Sequence, residues 1–173
     1  MNEEACLAIE EAWTLTVKTW ALTPIMDDSA IGRTEYHSPE WYQKRGATYF
    51  VKPANPLTAT DIGELRQIGN FVNHSFIIAM VAILEEYKVI PFQGSIPPGE
   101  RRDFVKLTKW LRNRFVHGQW RYDPSNKYHK ETRELLETLF PQTTLGTSGF
   151  VTSIDEILEP LKDGVLTYIR SRS

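Results

Sequence analysis

The chain has 173 residues, 41% of them apolar and 24% charged, with a formal net charge of −2. That length suits one domain with a real core and is short for two. The near-neutral charge leaves any nucleic-acid binding to a local patch. Cys6 is the only cysteine, which excludes an intrachain disulfide and a cysteine-based metal cluster. The acidic start, Met1-Asn2-Glu3-Glu4, lacks the basic and apolar regions of a signal peptide. The longest apolar stretch, Phe76 to Leu84, is about half a membrane span. A cytoplasmic protein without membrane contact is the expectation.

Ala5, Ile9, Trp13 and Val17 recur at every fourth position against Glu3, Glu4, Glu10, Glu11 and Lys18, so residues 3–20 read as an amphipathic helix. Residues 22–57 break the pattern: four of the ten prolines fall here with Gly32 and Gly46, and no helical period is sustained. This is an irregular insertion with a candidate short strand at 47–52, unusually long for a loop. From a cap at Thr60 or Asp61, apolar residues keep helical spacing from Ile62 through Ile68, Phe71, Phe76 and Met80 to Tyr87. A helix over about 60–88 is roughly 42 Å long at the usual rise, and a helix of that length in a small protein implies a bundle.

Pro97-Pro98-Gly99 marks a break. A second helix then spans about 100–117, with Phe104, Leu107, Leu111 and Phe115 as its core stripe and Gly118 as a C-terminal cap. Asp123-Pro124-Ser125-Asn126 is a turn, and residues 128–140 form a short helix stopped by Pro141. Ser153 and Glu156 make a capping box for the last helix, in which Pro160 is expected to cause a kink or a split. The fold class is all-α, as a single domain over 1–173.

The chemistry concentrates in Arg112-Asn113-Arg114-Phe115-Val116-His117-Gly118. On a helix, Asn113 and His117 share a face. Arg112 lies about 140° round from His117 but has a long side chain. Imidazole moves protons near neutral pH, and a guanidinium fork holds phosphate and stabilises charge developing on its oxygens. RNA carries its own nucleophile, the 2′-hydroxyl, so such a set needs neither a metal nor a protein nucleophile. The segment contains no carboxylate cluster.

An Arg followed by a polar residue, then His four residues later and Gly, resembles the R-x4-6-H motif of the HEPN superfamily. The resemblance extends loosely over residues 60–170 as a long helix, a Pro/Gly break and a motif helix. It implies a HEPN-like helical bundle and a metal-independent endoribonuclease without cofactor. Such an enzyme works as a homodimer with a composite cleft, as a toxin or phage-defence effector with an antitoxin or other protein partner. It further implies that Arg112 engages the scissile phosphate, Asn113 fills the polar position, and His117 is the general acid or base. One departure stands out: HEPN toxins neutralised by a nucleotidyltransferase carry Tyr two residues after the His, where this chain has Gln119. Tyr122 is not at that spacing, so control by modification of that Tyr is not expected.

Seven cations from Arg101 to Arg121 form the most basic stretch of the chain. Lys109, Trp110, Arg114 and Arg121 are candidate RNA contacts, since aromatic rings stack on bases. A solvated helix face is the plainer explanation of such a run. The alternative function is therefore a non-catalytic HEPN-like RNA- or protein-binding module. His74 interrupts the long helix as a candidate neighbour of the site or a buried polar residue. His37 and His129 read as surface residues without metal-ligand spacing.

Overall fold

The computed structural model describes residues 2–43, 48–116, 122–142 and 154–172. The protein is mostly helical. In chain order it has α1 (Asn2–Trp20), two 3-10 turns (Thr23–Ile25 and Asp28–Ala30), β1 (Tyr36–His37), α2 (Glu40–Gln43) and β2 (Phe50–Val51). Then come α3 (Ala59–Glu86), α4 (Arg102–Val116), α5 (Lys127–Leu139) and α6 (Asp155–Arg170). The structure divides into two compact units, one of residues 13–72 and the other of 1–12 with 73–173. The division falls within α1 and within α3.

The unit of residues 13–72 contains the irregular insertion. Ile25, Ala30, Tyr36 and Ile62 are buried together, with Leu22, Met26, Val51, Leu57 and Leu65 packed around them. The Tyr36 hydroxyl lies 2.6 Å from the Ala30 carbonyl and 2.7 Å from that of Arg33, which pins the loop onto its own apolar centre. β1 and β2 pair antiparallel, Tyr36 opposite Val51 and His37 opposite Phe50; β2 falls inside the candidate strand at 47–52, whereas its partner β1 lies outside any expected strand. On α3, Arg66 donates to the Met26 carbonyl at 2.8 Å and pairs with Asp28 at 3.0 Å. The segment is thus a small packed layer rather than a structureless loop.

α3 starts slightly earlier than the sequence suggests. Its cap is Thr58, not Thr60 or Asp61: the Thr58 hydroxyl accepts from the Asp61 amide at 3.3 Å, and the Asp61 carboxylate accepts from the Thr58 amide at 2.7 Å. This is a capping box with Asp in the third helical position. Ile62, Phe76, Ile77, Met80, Val81 and Leu84 are buried, yet Phe71 is 70% exposed. At about 100° per residue, Phe71 lies on the side of the helix opposite Ile62 and Met80. Apolar residues therefore encircle α3, which is long and apolar enough to cross a membrane by length and composition alone.

In the other unit, α4 packs on α6 and α5. α6 buries Ile157, Leu158, Leu161, Val165, Leu166, Tyr168 and Ile169. It runs unbroken through Pro160, so the expected split does not occur. Ser153 lies outside the described residues, and the cap position is occupied by Ile154 without a side-chain hydrogen bond. The end of α6 anchors the connection between α3 and α4. Tyr168 donates to the Pro97 carbonyl at 3.0 Å, Ser171 accepts from the Glu100 amide at 3.2 Å, and Arg172 donates to the Val89 carbonyl.

The α4–α6 crossing depends on Gly164. A Cβ at that position would run into the ring of Phe104, which is itself buried and set edge-on to Phe140 at 5.8 Å between centroids. Helix propensity alone favours Ala over Gly by about 1 kcal/mol, but overpacking a tight contact costs about 1–3 kcal/mol. Gly164→Ala is therefore expected to lower stability by up to about 2 kcal/mol, measured by urea unfolding. A rise in stability would show that the two helices separate easily.

Candidate functional site

α4 presents three different sides, and its charged residues divide among them. One side is core, with Phe104, Val105, Leu107, Thr108 and Leu111 buried. Phe115 continues it half-buried, stacked on the His74 ring at 3.9 Å between centroids and 16° between planes. His74 is thus a packing partner of α4, and burial pushes its pKa below the usual imidazole range.

The edge towards α3 carries Arg112. Its Nη2 donates to Glu85 Oε1 at 2.9 Å, with 21% of the Arg and 14% of the Glu side chain exposed. Lys109 approaches the same carboxylate oxygen at 3.7 Å. The Lys109 ammonium also donates to the carbonyls of Pro91 at 2.9 Å and Phe92 at 3.0 Å. Lys109, one of the candidate RNA contacts, thus also braces the chain leaving α3. Glu85 and the two cations it joins form a cluster with one cation in excess, part-screened from solvent.

The outer side carries Asn113 and Trp110. With Arg102, Lys106, Lys109 and Gly94-Ser95-Ile96 they line a groove of about 310 Å³. Asn113 therefore faces this groove, while Arg112 turns to Glu85. The two motif neighbours are about 100° apart on the helix, and the structure does not bring their side chains together.

Arg114 points to the third side, towards α5. There His129, expected at the surface, is buried at 4% exposure. Its Nδ1 accepts from the Asp123 amide at 3.0 Å, and Asn126 caps the helix above it, accepting from the amides of Tyr128 and His129. Burial lowers the His129 pKa, the Arg114 charge lowers it further, and Asp123 opposes them. Desolvation also lowers the Arg114 pKa. Arg133, one turn beyond His129, lies over the Tyr122 ring at 4.5 Å.

His117 and Arg121 lie outside the described residues. Sequence reasoning missed Glu85 and the environment of His129. Nothing in the sequence marks Glu85, because its contacts come from another helix. For His129 a signal existed: with Thr132 and Leu136 it forms a buried helical stripe. Among the described residues no group of three or more His, Cys, Asp or Glu side chains is placed to hold a metal ion. No protein-family model, curated protein or solved structure matches the chain.

A histidine whose folded pKa is depressed stays neutral where the unfolded chain already takes up protons. Stability from such a group is present above the unfolded value of about 6.5 and is lost as pH falls below it. His74 and His129 both act in this direction. The urea midpoint is expected to be lower at pH 5.5 than at pH 7.5. His129→Asn, which keeps an acceptor near the Asp123 amide, is expected to shrink that difference. An identical pH slope in the variant would remove His129 as a cause.

Proposed function

We propose that the protein is a metal-independent endoribonuclease that acts as a homodimer, each copy supplying half of a composite cleft. The observation that carries this reading is the Arg112–Glu85 hydrogen bond of 2.9 Å. It fixes a guanidinium near the end of a helix whose sequence continues into His117. A held guanidinium needs little further ordering to receive a phosphate, and charge-assisted bonds to guanidinium are among the stronger contacts available. That bond uses one of the five N–H groups of the guanidinium fork.

In the proposed reaction the substrate 2′-oxygen forms a bond to phosphorus, and the bond from phosphorus to the 5′-oxygen breaks. One proton leaves the 2′-hydroxyl and another reaches the departing 5′-oxygen. The products are a 2′,3′-cyclic phosphate and a 5′-hydroxyl. His117 transfers protons, and Arg112 stabilises the charge that builds on the phosphoryl oxygens. A toxin or defence effector with a protein partner is the biological setting that fits such an activity.

Proton transfer by a positioned side chain contributes about 10²–10⁴-fold, so His117→Ala and Arg112→Ala are each expected to reduce RNA cleavage at least about a hundredfold with helical content unchanged. EDTA should have no effect. Glu85→Gln should lower the cleavage rate while leaving RNA affinity nearly unchanged, because it loosens the guanidinium without removing it. Equal cleavage by wild type and the Arg112→Ala/His117→Ala double variant would overturn the proposal.

A second reading is favoured by the neutralisation of Arg112 by Glu85 and by the outward direction of Asn113: a non-catalytic module that binds RNA or a protein. RNA binding without turnover by the wild type would select it.

A further inference from the structure

The groove on the outer side of α4 combines features that the cleavage chemistry does not use. Its lining contains Arg102, Lys106 and Lys109 and no carboxylate among the described residues. Arg102, Lys106, Lys109 and Asn113 fall within about 60° of one another on the helix, with Trp110 beside them. Opposite stands the 94–96 segment, where Gly94 has φ +100° and Ile96 is buried as the floor. Lys109 holds this wall in place through the Pro91 and Phe92 carbonyls just before it. The groove is therefore shaped by a fixed strut rather than by mobile side chains alone.

Its aromatic surface is occupied by a movable cation. The Lys106 ammonium sits 4.5 Å from the centroid of the Trp110 ring. Such a contact is worth only about 0.5–1 kcal/mol where water reaches it. A planar base can displace it, since stacking on an aromatic side chain is worth about 1–3 kcal/mol. The displaced ammonium then remains within reach of an anion next to the base. Asn113 adds an amide that both donates and accepts at the edge of the groove. A volume of about 310 Å³ is at the small end of ligand sites, roughly 300–1,000 Å³, which suits one such unit.

We infer that this groove binds one nucleotide with an unpaired base: the base stacks on Trp110, Arg102 and Lys106 hold the phosphate, and Asn113 meets the base edge. The inference rests on reading RNA as the ligand of this face, not on cleavage. A duplex cannot offer its bases for stacking, so the preferred source is a single strand. A free nucleotide shares the same chemistry.

The test is binding of a fluorescent 12-nucleotide oligoadenylate to the His117→Ala protein, with the same RNA annealed to its complement and AMP as separate arms. The single strand is expected to bind at least about tenfold more tightly than the duplex. Trp110→Ala should weaken single-strand binding about tenfold or more, and Trp110→Phe should retain most of it. Replacing Arg102 and Lys106 by Gln should reduce the salt slope by about 0.7, the value for one neutralised phosphate on a single strand. If AMP binds with the same Trp110 dependence and the strand binds no better, the nucleotide site stands and its source is the free ligand. Undiminished binding by a folded Trp110→Ala protein, by circular dichroism, would overturn the inference, as would equal binding of strand and duplex, or no binding by the parent. These outcomes do not depend on cleavage: a wild type that binds through Trp110 but never cuts RNA ends the ribonuclease proposal and leaves the groove intact.

Discussion

A single carboxylate organises the charged end of this protein. Glu85 stands near the end of α3, and two cations one turn apart on α4, Lys109 and Arg112, converge on one of its oxygens. Opposite charges about 4 Å apart attract by about 1 kcal/mol in water and about 4 kcal/mol at an effective dielectric near 20. The low exposure of all three side chains moves the cluster away from the water limit. Removing one member would leave its partners half-buried and mismatched, a larger loss than the pair's own net contribution. The same cluster sets the position of the chain leaving α3, because Lys109 also binds two of its carbonyls.

Much of the helical layout was legible in residue spacing. The expected helices at about 60–88 and 100–117 correspond to Ala59–Glu86 and Arg102–Val116. Apolar residues every third or fourth position can be seen without knowing what they pack against. The start of α3 was harder to place. The spacing points to Thr60 or Asp61 as the cap, and only the reciprocal bonds between Thr58 and Asp61 reveal that it is Thr58. Phe71 belongs to the periodic run but faces outward, because a helix apolar on all sides has no single stripe to read. The insertion was legible as irregular, while its packing around Tyr36 depends on contacts scattered through the segment.

The site was legible as a set of residues and less so as an arrangement. The described part of the motif, Arg112 to Val116, forms the end of α4, and Asn113 and Trp110 line one groove. Spacing placed Arg112 off that face and left its reach to the length of the side chain; Glu85, twenty-seven residues earlier, takes that reach in another direction. Lys109 counted as one of seven cations in a basic run, yet its ammonium braces backbone. Composition gives the sign of a charge but not its partner. His129 shows the same limit from the other side, since its polar neighbours in sequence, Tyr128 and Lys130, suggested a surface that its helical face contradicts.

The hydrogen bond from the Asp123 amide to Nδ1 has a further consequence for His129. In a neutral imidazole one ring nitrogen carries the hydrogen and the other accepts. With Nδ1 accepting, the hydrogen resides on Nε2, so the tautomer of this ring is set by main chain rather than by a carboxylate. A depressed pKa keeps the ring neutral, and its only basic lone pair is already turned towards the amide. His129 therefore faces its surroundings as a donor. Because the ring is buried, this fixed tautomer ties the 123–126 turn to α5 as a packing constraint and is not a proton carrier turned to solvent.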